Sequence, residues 1–196
     1  MTKSITYYNQ NAEKYYKSTL NIDMSRIYHS FLQHLSPGGL ILDAGCGSGR
    51  DSLYFLNEGY QIKAFDGSEE MVKLSSRLIG QEVQHCTFEE FQSELLLDGI
   101  WACASLLHVK KEKLGSVIDH LVCFLKQGGL FYMSFKYGNR GYEKDGRTFS
   151  CFKEDDFTAT ITKLDKLEIL DLFRTVDFRP ERLDEHWLNC LLKRVD

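Results

Sequence analysis

Proline is nearly missing from this chain: Pro37 and Pro180 are the only two, and no linker, internal repeat or low-complexity tract accompanies them. With 196 residues, that continuity argues for one domain rather than several. No apolar run approaches the roughly 18 residues a membrane span needs, which excludes a transmembrane segment. The opening stretch, MTKSITYYNQNAEKYY, lacks the apolar core of a signal peptide, so a cytoplasmic location is expected. The six cysteines (Cys46, Cys86, Cys103, Cys123, Cys151, Cys190) include no CxxC pair. They read as reduced, buried thiols, not as a disulfide framework or a metal site. A formal charge of −4 and a pI near 5.9 give no overall attraction to nucleic acid, leaving RNA only a local basic patch. What remains is an ordinary globular composition, 43% hydrophobic and 27% charged.

From Ser36 onward, short apolar runs alternate with helical patterns, the signature of βαβ units around a parallel sheet. Strands are expected at Leu40–Ala44, Gln61–Phe65, Glu82–Cys86, Gly99–Ala104 and Gly129–Phe135, with helices near Asp51–Glu58, Glu69–Ile79 and Lys111–Leu125. The last helix shows Leu114, Val117, Ile118, Leu121, Val122 and Leu125 at helical spacing. After Asp155 the order is a helix to about Leu164, then strands Leu167–Phe173 and Trp187–Leu192, an antiparallel hairpin at the sheet edge. Two helices precede Ser36; the second carries the stripe Met24, Ile27, Tyr28, Phe31 and Leu35. The pair is expected to lie across the ligand-binding end of the sheet.

The strongest signal is Leu40-Ile-Leu-Asp-Ala-Gly-Cys-Gly-Ser-Gly-Arg50. A buried strand runs into Gly45, Gly47 and Gly49, and a helix follows, so ligand atoms can approach both the backbone and the helix N-terminus. The next strand ends in Asp66, 21 positions after Gly45, where a carboxylate accepts hydrogen bonds from ribose hydroxyls. Gly67 and Ser68 then open a helix, with Ser68 as its N-cap. Nicotinamide and flavin proteins use similar loops, but three details separate them from this chain. The loop is not GxGxxG; Asp43 would repel a pyrophosphate yet tolerate a cationic sulfonium–amino acid; and strand four leads into Ser105-Leu-Leu-His108, with Lys126-Gln-Gly-Gly129 before strand five.

At these residues the sequence resembles the class I S-adenosylmethionine (SAM)-dependent methyltransferases, over roughly residues 5–192. The stretch Gly49-Arg-Asp-Ser-Leu-Tyr-Phe-Leu with Glu58-Gly-Tyr resembles the tellurite-resistance and related small bacterial enzymes. The opening Tyr8-to-Tyr16 segment resembles small-molecule methyltransferases, including those of quinone biosynthesis. The resemblance implies an α/β, Rossmann-like three-layer sandwich. Its seven-stranded sheet has order 3-2-1-4-5-7-6 with the last strand antiparallel. Residues 1–36 would be a helical cap and 37–196 the core of one domain. It implies SAM as cofactor, with Asp43, Gly45 and Gly47 at the methionine moiety and Cys46 and Arg50 as further cofactor contacts. Asp66 would hold the ribose and the backbone around Thr87 and Phe88 the adenine, with Gly67, Ser68, Ser105 and Leu106 as further cofactor contacts. Many relatives place an acid beside Thr87, whereas this chain has Cys86-Thr87-Phe88 and acids only at Glu89 and Glu90. Adenine recognition would then use backbone groups and apolar packing. The absence of an Asp/Asn-Pro-Pro-Tyr sequence speaks against base methylation.

Methyl transfer is an in-line displacement at an already activated carbon, so positioning and water exclusion do most of the work. A base is needed only where the acceptor must lose a proton. His108, after strand four, is the candidate base; the alternative is a packing histidine. Tyr8, Tyr15 and Tyr16 could close over the cofactor, and Tyr8 and Tyr16 are counted as contacts. The segment from Ser134 to Phe149 reads as a glycine-broken substrate loop. Lys136, Tyr137 and Arg147 are its candidate acceptor residues, and its cations suit an anionic small molecule. Cys46 is a small buried side chain rather than a nucleophile, and Trp101, Phe131 and Trp187 are assigned to the core or the sheet. No metal is expected, and a monomer or homodimer suffices. The rivals are an RNA- or protein-modifying methyltransferase and a SAM-binding regulatory module without turnover.

Overall fold

A computed structural model describes residues 2–196. Helices α1 (Lys3–Thr19) and α2 (Ser25–Leu32) come first, then β1 (Leu40–Ala44), α3 (Arg50–Asn57), β2 (Gln61–Asp66), α4 (Glu69–Ile79), β3 (Gln84–His85) and β4 (Leu97–Ala102). A single 3₁₀ turn, Leu106–His108, leads to α5 (Lys111–Val122), β5 (Leu125–Tyr137), the short strands β6 (Tyr142–Lys144), β7 (Arg147–Phe149) and β8 (Cys151–Phe152), α6 (Glu154–Ile161), β9 (Leu167–Val176) and β10 (His186–Arg194). The main sheet runs β3-β2-β1-β4-β5-β10-β9, and β8 adds to the end of β5. Counting β9 and β10 as the sixth and seventh strands of the fold, this is the expected order. β10 lies antiparallel to both neighbours, while β1, β2, β3, β4 and β5 pair in parallel.

Alternation along the strands sorts the core into two layers. Leu42, Ala44, Ile100, Ala102, Phe131 and Met133 face α5 and α6, joining Leu114, Val117, Ile118, Leu121 and Phe157. Ile41, Trp101 and Tyr132 face the other way, against Phe55 of α3 and the stripe Met24, Ile27, Tyr28 and Phe31. That stripe buries α2 on the sheet face: Phe31 lies 5.2 Å from Trp101, and a Cβ at Gly99 would sit 2.6 Å from the Phe31 ring. Only α1 crosses the ligand-binding end, which corrects the expectation for the helix pair. Its contacts run to α4 and to β7.

Differences from the sequence reading are local. The third strand shrinks to two residues, and the fourth ends at Ala102 rather than Ala104, because Ala104 takes a left-handed backbone (φ 53°) that turns the chain out of the sheet. The segment expected as a loop to Phe149 is instead the end of β5 followed by a β6–β7 hairpin. Asp145 and Gly146 form its two-residue turn, both at positive φ (51° and 75°), the conformation an Asp-Gly pair favours. All six cysteines are free; Cys46, Cys151 and Cys190 are buried as expected, but Cys86 and Cys103 are half-buried and Cys123 is exposed. No helix of the described residues is long and apolar enough to cross a membrane.

Candidate active site

A cavity of about 970 Å³ opens at the carboxyl ends of the parallel strands, beneath α1, where ligands bind in open α/β sheets. Its floor is the glycine loop. The N–H groups of Gly45 and Cys46 both donate to the Phe65 carbonyl (3.0 Å each), locking the loop to β2. Gly45 has φ +74°, and a Cβ there would lie 2.7 Å from the Ser105 side chain; the Ser105 hydroxyl in turn donates to the Ala44 carbonyl (2.6 Å). Glycine is therefore demanded by space as well as by φ.

Asp66 closes the loop from the neighbouring strand. Its Oδ2 accepts the Gly47 N–H (2.9 Å) and its Oδ1 the Ser68 N–H (2.8 Å). Burial nonetheless raises its pKa, with no cation bonded to it. Such a carboxylate has lone pairs left for hydroxyl donors. Ser68 caps α4 by accepting the Met71 N–H (3.3 Å), and its hydroxyl donates to Asn9 Oδ1 of α1 (2.7 Å).

Asp43 shares the parity of Ile41 and so points toward α3, where it is buried and accepts from the Ser52 hydroxyl (2.6 Å). Burial, then the nearby Asp51, push it up to about 8. Asp51 itself accepts from Tyr28 (2.5 Å), Trp101 (2.8 Å) and Arg50 Nε (2.6 Å). A cationic group entering beside Asp43 would relieve its cost of ionisation. These features fit SAM: two carboxylate oxygens at Asp66 for ribose hydroxyls, a loop open to close approach at Gly45 and Gly47, and at Asp43 a buried carboxyl whose ionisation an entering amino group or sulfonium would favour. Phe88 adds a ring beside Gly45. The Thr87 N–H, which the resemblance offered to adenine, already donates to Glu90 (3.0 Å) together with the Thr87 hydroxyl.

The roof is aromatic. His108 Nδ1 lies 2.6 Å from the Thr148 carbonyl and Nε2 lies 2.9 Å from the Tyr8 hydroxyl. A carbonyl only accepts, so Nδ1 carries the proton and Nε2 accepts from Tyr8. Burial, reinforced by Arg147, lowers His108 to about 4 against the pull of that carbonyl. Burial also raises Tyr8, and Arg147 partly offsets it. Arg147 stacks 3.9 Å over Tyr7.

Most sequence-predicted residues line this cavity: Tyr8, Asp43, Gly45, Cys46, Gly47, Arg50, Asp66, Gly67, Ser68, Thr87, Phe88, Ser105, His108, Lys136 and Arg147. Tyr16, Leu106 and Tyr137 lie outside the lining. Tyr15 takes the place offered to Tyr16, because it sits seven residues from Tyr8 on the same helical face, 5.0 Å away ring to ring. Leu106 is wholly buried in the core, and the Tyr137 hydroxyl donates to Glu154 (3.0 Å). Lys136 is no loop cation: it is buried at the end of β5, paired with Asp177 (3.5 Å) and Glu185 and lying 3.8 Å over Trp187. Burial opposes the charge of Asp177, yet three hydrogen bonds from Arg179 and the nearby Lys136 hold it at about 2. That wall, which includes the half-buried Trp187 of β10, escaped the sequence reading. No group of residues among those described could hold a metal ion.

Residues 41–129 match the family model of a methyltransferase domain. That segment is similar to a methyltransferase domain and spans β1 with its glycine loop, Asp66 at the end of β2, and β4. In fold it is similar to the 1,6-didemethyltoxoflavin-N1-methyltransferase of Burkholderia thailandensis, solved with 1,6-didemethyltoxoflavin and S-adenosylhomocysteine (TM-score 0.78, 22% identity, 98% of this chain and 86% of that one). It is also similar to the N-methyltransferase NodS of Bradyrhizobium japonicum WM9, in complex with S-adenosylhomocysteine (0.70, 15%, 97% and 100%), and to a SAM-dependent methyltransferase of Clostridium acetobutylicum (0.70, 17%, 96% and 99%). A search of curated proteins by sequence gives no match.

Proposed function

We propose that this protein transfers the methyl group of SAM to a small-molecule acceptor, releasing S-adenosylhomocysteine. The observation that carries this reading is one continuous cavity joining the Asp66–Gly47 cradle to the Tyr8–His108 pair under α1. Its volume suits a cofactor beside a compact acceptor, and the helix above it leaves little room for a folded macromolecule. SAM brings a methyl group on a sulfonium, and the acceptor's nucleophilic atom bonds to that carbon as the carbon–sulfur bond breaks.

The chain's own residues position and deprotonate. Asp66 and Ser68 fix the ribose side, Gly45 and Gly47 let the chain approach closely, and Asp43 faces the cationic part. Tyr8 and Tyr15 cover the site and exclude water. Where the acceptor must lose a proton, the Tyr8 oxygen takes it while the Tyr8 hydroxyl proton passes to Nε2 of His108. His108 is neutral at pH 7, so its Nε2 lone pair faces the Tyr8 hydroxyl, while burial opposes the imidazolium that the transfer would form. Unpaired thiols and the absence of a membrane-crossing helix among the described residues suit a protein at work in the cytoplasm.

The test has two stages. Calorimetric titration with SAM, S-adenosylhomocysteine and NAD should give binding of the first two only. Incubation with methyl-labelled SAM and a cell extract should then place label in the small-molecule fraction. Label confined to macromolecules would overturn the acceptor assignment.

A further inference from the structure

The cations around the cavity are not equal. Arg50 is held by Asp51 (2.6 Å), Arg179 by Asp177 (2.5 Å), and Lys136 by Asp177 and Glu185. Lys14, Lys110, Lys113 and Lys144 are exposed. Arg147 differs from all of them. Its side chain is only 14% exposed, and its ion-pair partner is Asp145, two residues along at 3.3 Å and itself 57% exposed. Its Nε is buried with no hydrogen-bond partner.

Aromatic faces, rather than a buried carboxylate, hold this guanidinium. It lies 3.9 Å from the Tyr7 ring, 5.2 Å from Phe149 and 6.0 Å from Tyr8, and Tyr142 stacks on Phe149 at 4.8 Å. A guanidinium stacked by its face presents its N–H groups edge-on, in its own plane. An anion meeting that edge has aromatic rings beside it. A carboxylate conjugated to a flat ring adds ring contact with Tyr7 and Phe149 to the charge, whereas a phosphate or an aliphatic acid brings the charge alone.

We propose that Arg147, with the Tyr7 and Phe149 rings, is the acceptor-recognition site, and that it selects a planar aromatic carboxylate. This rests on the methyl-transfer reading above and names its substrate class. Tyr8 stands beside the guanidinium and bonds to His108, so an acceptor anchored at Arg147 is held next to the proton-accepting pair.

The test needs no knowledge of the natural acceptor. The protein is first saturated with S-adenosylhomocysteine, then titrated with 2-naphthoate, 2-naphthamide and inorganic phosphate. The carboxylate should bind about tenfold or more tightly than the neutral amide, the scale of a charge-assisted contact, and more tightly than phosphate. In Arg147→Met that preference should vanish, with S-adenosylhomocysteine affinity unchanged. Equal binding of acid and amide, a stronger response to phosphate, or no binding of any probe would overturn the proposal. Should the variant not fold, the acid–amide comparison on the unaltered protein decides alone. Failure to bind S-adenosylhomocysteine would instead strike the methyl-transfer reading, so the two failures are distinguishable.

Discussion

Replacing Asp66 by alanine separates a ligand-binding carboxylate from a turn-stabilising one. In the free protein Asp66 accepts the Gly47 and Ser68 N–H groups at 2.9 and 2.8 Å, so its loss leaves two partly buried donors to water. Such a loss costs on the order of 1–3 kcal/mol. Against it stands the desolvation that raises the Asp66 pKa, a penalty on the ionised group that the variant no longer bears. The two offset, and the stability of the free protein should change by no more than about 1 kcal/mol, near the typical effect of a point substitution. Affinity has no such compensation. Losing charge-assisted bonds to two ribose hydroxyls should weaken SAM by about 1–3 kcal/mol, roughly fivefold to 150-fold in Kd. Calorimetry with SAM and S-adenosylhomocysteine measures the second quantity, and denaturant unfolding without ligand measures the first. A variant that loses stability but keeps its affinity would refute the reasoning and return Asp66 to the turn.

The remaining expectations touch other parts of the site. Asp43, raised to about 8, binds its proton more tightly folded than unfolded. The free protein should therefore lose stability as pH rises from about 4 through 8, and Asp43→Asn should flatten that slope in unfolding curves; an unchanged slope would assign it elsewhere. His108, lowered to about 4, works in the opposite sense, so stability it contributes near neutrality should fade below about pH 6.5. Nitrogen NMR should meanwhile show a neutral ring protonated at Nδ1 at pH 7; an imidazolium there would exclude the proposed relay. Gly45→Ala, with its Cβ 2.7 Å from Ser105 and φ +74°, should abolish SAM binding, and an unaffected Kd would mean that the loop tolerates a side chain. Lys136→Met should destabilise the fold by roughly 1–3 kcal/mol, because Glu185 loses its nearest cation while Asp177 keeps Arg179. A merely local loss of acceptor binding would restore Lys136 as a recognition residue.

Much of the fold was legible because buried strands and amphipathic helices leave periodic traces. The stripes of α2 and α5 and the run from Leu40 to Ala44 all appear where the spacing puts them. The residues proposed for the cofactor stood out for a related reason: Gly45 and Gly47 occupy positive-φ turns and Asp66 ties the loop to the next strand through the Gly47 N–H. The acceptor half was harder to read. Lys136 and Arg147 look alike in sequence, yet one is neutralised by acids some 40–50 positions away and the other stacks on rings from α1. Such pairings belong to tertiary structure. The β6–β7 hairpin did carry a local sign, the Asp145-Gly146 pair, which the richness in glycine and charge around it masked. Tyr15 against Tyr16 was decided by helical phase, which only the observed start and kink of α1 at Asn11 fix.

The central claim is that the Gly45–Gly47 loop and Asp66 together grip an adenosyl sulfonium. Its most direct test is a crystal structure of the protein grown with S-adenosylhomocysteine. The account predicts both ribose hydroxyls within hydrogen-bond distance of the Asp66 carboxylate, with the sulfur between Gly45 and Tyr15. Density for the nucleoside anywhere else in the cavity, with Asp66 facing only Gly47 and Ser68, would contradict it.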